Sequence, residues 1–119
     1  MRVEVLYVPN CPHHPTTVKQ LKAVLAAAGI QLEIHQVPVT DAKTAQELKF
    51  RGSPTVRING RDIAGESQEP ESFALACRIY EGAKEAGLPP IEMMQNAVRK
   101  ARERETARLI NDLSGTDTE

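Results

Sequence analysis

Cys11 stands directly after the apolar run Val5-Leu6-Tyr7-Val8 and is followed by Pro12, His13 and His14. A thiol at a strand-to-helix junction faces the unpaired N–H groups and partial positive charge of the helix N-terminus, which stabilise a thiolate. In that setting Cys11 is a nucleophile or a soft-metal ligand. The competing reading is core filler, because free cysteines are among the most buried residue types. Two neighbouring histidines give the thiol a polar, partly open setting and tip the balance toward chemistry. His13 or His14 could favour the thiolate or complete a metal site, or both could simply be solvated first-turn residues. The second cysteine, Cys77, is evenly balanced between core filler and partner of Cys11, since a disulfide needs Cα atoms within roughly 7 Å. Further along, Arg51-Gly52-Ser53-Pro54-Thr55 opens a second apolar run that ends in Asn59-Gly60.

Composition narrows the classes. The chain has 119 residues, enough for one domain with a modest core and too few for two. Aromatics make up 3% and tryptophan is absent, so stacking platforms for single-stranded nucleic acid are few. A formal net charge of −1 gives no electrostatic case for DNA or RNA. No apolar stretch approaches the roughly 20 residues that span a bilayer, and no signal-peptide core precedes the first apolar run. The expectation is a cytoplasmic protein with neither nucleic-acid nor membrane partners, in which any disulfide is transient and chemical. Two cysteines cannot make a disulfide scaffold.

The elements that must position these residues follow from periodicity. Val3–Val8 reads as a strand buried on both faces, stopped by Pro9 and Asn10. Val18, Leu21, Leu25 and Ala28 recur at helical spacing, predicting a helix over Thr16–Ala28. Ile30–Val37 alternates apolar and polar residues as a half-exposed strand does. Thr40 or Asp41 caps a short helix over Asp41–Phe50. Thr55–Ile58 and Arg61–Ile63 flank Asn59-Gly60, whose type I′ turn requires positive φ at both central residues. A last helix, Ile91–Ala101, presents Ile91, Met94, Val98 and Ala101 on one face, and its charged continuation over Arg99–Arg108 runs past the core. The result is an α/β fold with a mixed four-stranded sheet in the order β-α-β-α-β-β-α. It forms one domain over residues 1–113, with a disordered tail from Ser114 to Glu119. Between Gly65 and Leu88, Phe73, Leu75, Cys77 and Ile79 alternate like a strand, while Phe73, Ala76, Cys77 and Tyr80 suit a helix equally well.

Asn10-Cys11-Pro12-His13-His14 resembles the C-x-x-C or C-x-x-S motif of the thioredoxin and glutaredoxin superfamily. Arg51-Gly52-Ser53-Pro54-Thr55 is similar to that superfamily's R-G-x-P-T segment, whose proline is cis. More narrowly, the run from Gly52 to Ile63, with Cys77-Arg78-Ile79-Tyr80, resembles small bacterial thioredoxin-like proteins. The resemblance covers about Val3 to Gly65 and implies a thioredoxin-like fold. It also implies a cis Ser53–Pro54 peptide beside the thiol, with Pro12, Ser53, Pro54 and Thr55 receiving a peptide or glutathione backbone by strand addition. His14 occupies the place of the second motif cysteine, so no dithiol cycle can close within the motif.

Three functions follow. In the first, Cys11 performs thiol–disulfide or glutathione mixed-disulfide exchange, aided by His14 and resolved by Cys77 or by glutathione as co-substrate, with no required cofactor. Its partner is a protein disulfide or glutathione. In the second, Cys11 and Cys77, with His13 or His14, hold a thiophilic metal ion. In the third, the domain is a non-catalytic adaptor. A homodimer through the C-terminal helix is a further expectation.

Overall fold

The computed structural model describes residues 1–65, 75, 78, 80, 82–83 and 87–117, the side chains from 112 onward excepted. Seven elements follow one another: β1 (Val3–Tyr7), α1 (His14–Ala27), β2 (His35–Pro38), α2 (Ala42–Glu47), β3 (Thr55–Ile58), β4 (Arg61–Asp62) and α3 (Ile91–Asp117). The sheet order is β2-β1-β3-β4. β1 runs parallel to β2 and antiparallel to β3, and β3 and β4 form an antiparallel hairpin. The predicted β-α-β-α-β-β-α order is therefore the observed one.

Strand alternation sends the β1 and β3 side chains to two different cores. Val3 lies opposite Ile58 and Val5 opposite Val56, and these four share a face. They pack with Val18, Leu21, Val24 and Leu25 of α1 and Met94, Val98 and Ala101 of α3. Leu6 points the other way and meets Val39, Ala45 and Phe50 around α2. Each such side chain removed from water contributes about 1.5–3 kcal/mol, so both faces of the sheet are covered.

The turns are where the sequence places them. Asn59 and Gly60 both have positive φ, at 53° and 79°, the geometry the hairpin requires. Asp41 caps α2, its carboxylate accepting from the Thr44 N–H at 2.7 Å. Arg57 on β3 closes the other end of α2 by donating to the Leu48 and Lys49 carbonyls at 2.6 and 2.9 Å.

Three boundaries differ from expectation by more than two residues. Pairing along β2 begins only at His35, opposite Glu4, and β1, which starts at Val3, has no residue level with Ile30–Glu33. Those residues still bury apolar side chains against the α1/α3 core, so their alternation reports burial and not a ladder. α2 ends at Glu47 instead of Phe50, since Lys49 turns to a left-handed φ of 53°. α3 continues to Asp117 where a disordered tail was expected from Ser114. Once a helix is nucleated by packing, each further residue adds a backbone hydrogen bond at little extra cost. From Arg102 to Asn111 every residue of α3 is exposed. The undecided Phe73–Tyr80 periodicity lies mostly outside the described residues.

Candidate functional site

The thiol loop leaves β1 at Tyr7 and enters α1 at His14. Asn10 adopts a left-handed φ of 68°, a conformation asparagine tolerates, and so turns the chain to deliver Cys11. The Cys11 N–H donates to the Val8 carbonyl at 3.0 Å, and the Cys11 carbonyl accepts from the His14 N–H at 3.3 Å. Cys11 is half-buried and a free thiol, while Pro12 beside it is exposed. α1 starts without a side-chain cap, and Pro15 in its first turn has no N–H to satisfy.

The Ser53–Pro54 turn meets this loop at the same residue. The Ser53 hydroxyl accepts a hydrogen bond from the Val8 N–H at 3.0 Å. Val8 therefore donates to Ser53 and accepts from Cys11, which sets the thiol loop and the proline turn side by side. The Ser53–Pro54 peptide is cis. Ser53, Pro54 and Thr55 are all buried, and the Thr55 hydroxyl donates to the Gly52 carbonyl at 2.6 Å. Of the residues expected to receive a partner, only Pro12 faces solvent.

His14 has a settled position. Its ring stacks on Tyr7 with centroids 3.6 Å apart and planes at 2°, and its Nε2 lies 2.8 Å from Gln36 Oε1. An amide oxygen only accepts, so this contact is a hydrogen bond in the tautomer protonated at Nε2. His13 packs over Gly87: a Cβ there would come within 2.8 Å of the imidazole Cδ2. Among the described residues no three His, Cys, Asp or Glu side chains converge on a metal-sized space. Cys77 lies outside the described residues. Two cavities of about 660 and 700 Å³ run along α3, and Cys11 lines neither.

Sequence reasoning did not single out Arg78 and Tyr80 as site residues. The Arg78 N–H donates to the Ser53 carbonyl at 3.0 Å, and the Tyr80 hydroxyl donates to the Pro54 carbonyl. Arg78 is anchored by Asp62, whose carboxylate accepts from its guanidinium at 2.6 Å, and Arg51 lies 3.7 Å from the same oxygen. The guanidinium also sits 4.5 Å from the centre of the Tyr80 ring. Burial works against the charge on Arg78, but Asp62 and Tyr80 together outweigh it and hold the group protonated. Burial pushes the Tyr80 hydroxyl well above its ordinary pKa, so it stays a donor. A signal was available: an arginine inside the apolar Phe73–Tyr80 run must find a buried carboxylate, and Asp62 ends the preceding hairpin.

The chain matches the thioredoxin domain family over residues 1–72, more than half its length, and belongs to that family. No curated protein and no solved structure matches it. No helix among the described residues is long and apolar enough to cross a membrane.

Proposed function

We propose that the protein is a monothiol redox protein whose Cys11 exchanges with disulfides, including glutathione mixed disulfides. The Cys11 thiolate attacks one sulfur of R–S–S–R′, forming Cys11–S–S–R and releasing R′–S⁻. A low-molecular-weight thiolate, glutathione for example, then attacks the R sulfur of Cys11–S–S–R, forming R–S–S–G and releasing the Cys11 thiolate. Two electrons thus pass from thiols to the incoming disulfide, and no metal or prosthetic group is called upon. His14 in place of a second motif cysteine makes the external thiol necessary within the motif. Such chemistry suits the cytoplasm, where glutathione keeps thiols reduced.

The observation that carries the reading is the junction at Val8, which holds a half-buried free thiol at a helix start against the Ser53–Pro54 turn. The test is turnover of a glutathione mixed disulfide by the wild type and by Cys11→Ser. Removing the attacking sulfur should lower the rate by about 10²-fold or more. Undiminished turnover in Cys11→Ser would refute the assignment. No turnover by the wild type, with one thiophilic ion held tightly through Cys11, would replace it with the metal-binding function.

A further inference from the structure

An incoming polypeptide can add a strand only where a backbone edge is open. Beside Cys11 that edge is Ser53 and Pro54, and the chain has already used it. Ser53 forms an isolated β-bridge and its carbonyl accepts from the Arg78 N–H at 3.0 Å. The next carbonyl, of Pro54, accepts from the Tyr80 hydroxyl. Ser53 is only 1% exposed. The approach is close as well as hydrogen-bonded: Gly52 at φ 110° lies so near that a Cβ would come within 2.9 Å of the Arg78 Cα. Nor is the contact a loose overlay, because the Arg78 side chain is buried and ion-paired with Asp62 at 2.6 Å. Releasing it would take the nearer cation from a carboxylate whose side chain is 2% exposed. Cys11 is half-buried, and Pro12 beside it is exposed.

Resting on the proposed exchange chemistry, we infer that the substrates of Cys11 are low-molecular-weight disulfides that need no backbone pairing, and that extended polypeptide disulfides are disfavoured by the Arg78–Tyr80 contact at Ser53 and Pro54. A small disulfide reaches the sulfur from the Pro12 side. An extended peptide, laid along Ser53 and Pro54 just ahead of β3, meets Arg78 where its own N–H would bind.

The experiment measures single-turnover formation of the Cys11 mixed disulfide by mass spectrometry with two probes. One is bis(2-hydroxyethyl) disulfide. The other is an extended decapeptide whose single cysteine is capped by 2-mercaptoethanol, and only its Cys11–peptide adduct, whose formation releases the same thiol as the small probe, is counted. Each rate is divided by that probe's rate with free glutathione, which removes intrinsic reactivity. The wild type should favour the small probe by about tenfold or more, the scale of a lost hydrogen-bonded contact. Tyr80→Phe, which keeps the ring over Arg78 but frees the Pro54 carbonyl, should shrink that preference several-fold. Equal normalised rates in the wild type would overturn the inference while leaving the exchange chemistry standing. An unchanged preference in Tyr80→Phe would overturn it too, since the contact would not be its cause. Failure of both probes to react with Cys11 would remove the exchange reading itself, and the inference with it.

Discussion

The β1–β3 pair is fastened at both ends by the same chemistry in opposite surroundings. At one end the Arg2 N–H donates to Asn59 Oδ1 at 2.8 Å, and at the other the Val8 N–H donates to Ser53 Oγ at 3.0 Å. The Asn59 end is exposed, and its amide reaches on to Glu105 at 3.0 Å. The Ser53 end is part-buried, with Ser53 itself buried, and is backed by Asp62, Arg78 and Tyr80. A hydrogen bond exchanged against water contributes little net, but a buried group left without its partner loses its full solvation. The two fastenings should therefore respond very differently to substitution, and the one beside the thiol should be far less forgiving.

The largest effect should come from Arg78→Ala. It leaves the buried Asp62 carboxylate with the more distant Arg51 and should cost about 3–5 kcal/mol, the usual penalty for breaking one side of a buried ion pair. Urea denaturation of the reduced protein measures it. A loss under about 1 kcal/mol, the range of exposed pairs, would erase the contrast between the two ends. Gly52→Ala comes next. The residue combines a φ of 110° with backbone contact to Arg78, and an added methyl should destabilise by about 2–3 kcal/mol.

Ser53→Ala sharpens the comparison most directly, because it removes one oxygen and changes little shape. The Val8 N–H then lacks its acceptor in a largely buried place, for about 1–2 kcal/mol. Because Val8 also holds the Cys11 N–H, the thiol loop should loosen at the same time. Hydrogen exchange at Val8 and Cys11 should quicken while exchange at the α3 amides stays as it was. Uniform quickening across both would mean that Ser53 acts on the whole fold and not on the loop.

Much of this was legible in the sequence, for reasons that vary by residue. Asn59-Gly60 marked the hairpin because few residue pairs accept positive φ twice, and Cys11-Pro12 marked the strand-to-helix junction because it follows directly on the Val5–Val8 apolar run. Ile30–Ile34 misled because apolar alternation signals a buried face whether or not a neighbouring strand reaches that far. Arg78 and Tyr80 were not singled out as site residues because their contacts, to Asp62, Ser53 and Pro54, are long-range and follow no period, the one cue being an arginine inside an apolar run. Periodicity encodes which face is buried; it does not encode which distant carbonyl a buried donor meets.

The smallest effect belongs to the exposed end, and it depends on pH. The Asn59 amide, with the N-terminal ammonium 3.2 Å away, holds the Glu105 carboxyl below the usual carboxylate range. A carboxyl depressed in the folded state stabilises the fold above its unfolded pKa, and that contribution disappears as pH falls through the lower folded value. Glu105 is exposed, so solvent screening limits the contribution to about 0.5 kcal/mol or less. Glu105→Gln keeps an acceptor for Asn59 but cannot titrate. The variant should match the wild type in acid, below both pKa values, and fall slightly behind it at neutral pH. Urea midpoints for both proteins across the acid range measure the difference. A gap that instead rivals Ser53→Ala would mean that the exposed fastening is as costly to disturb as the buried one, and the contrast between the two ends would fail.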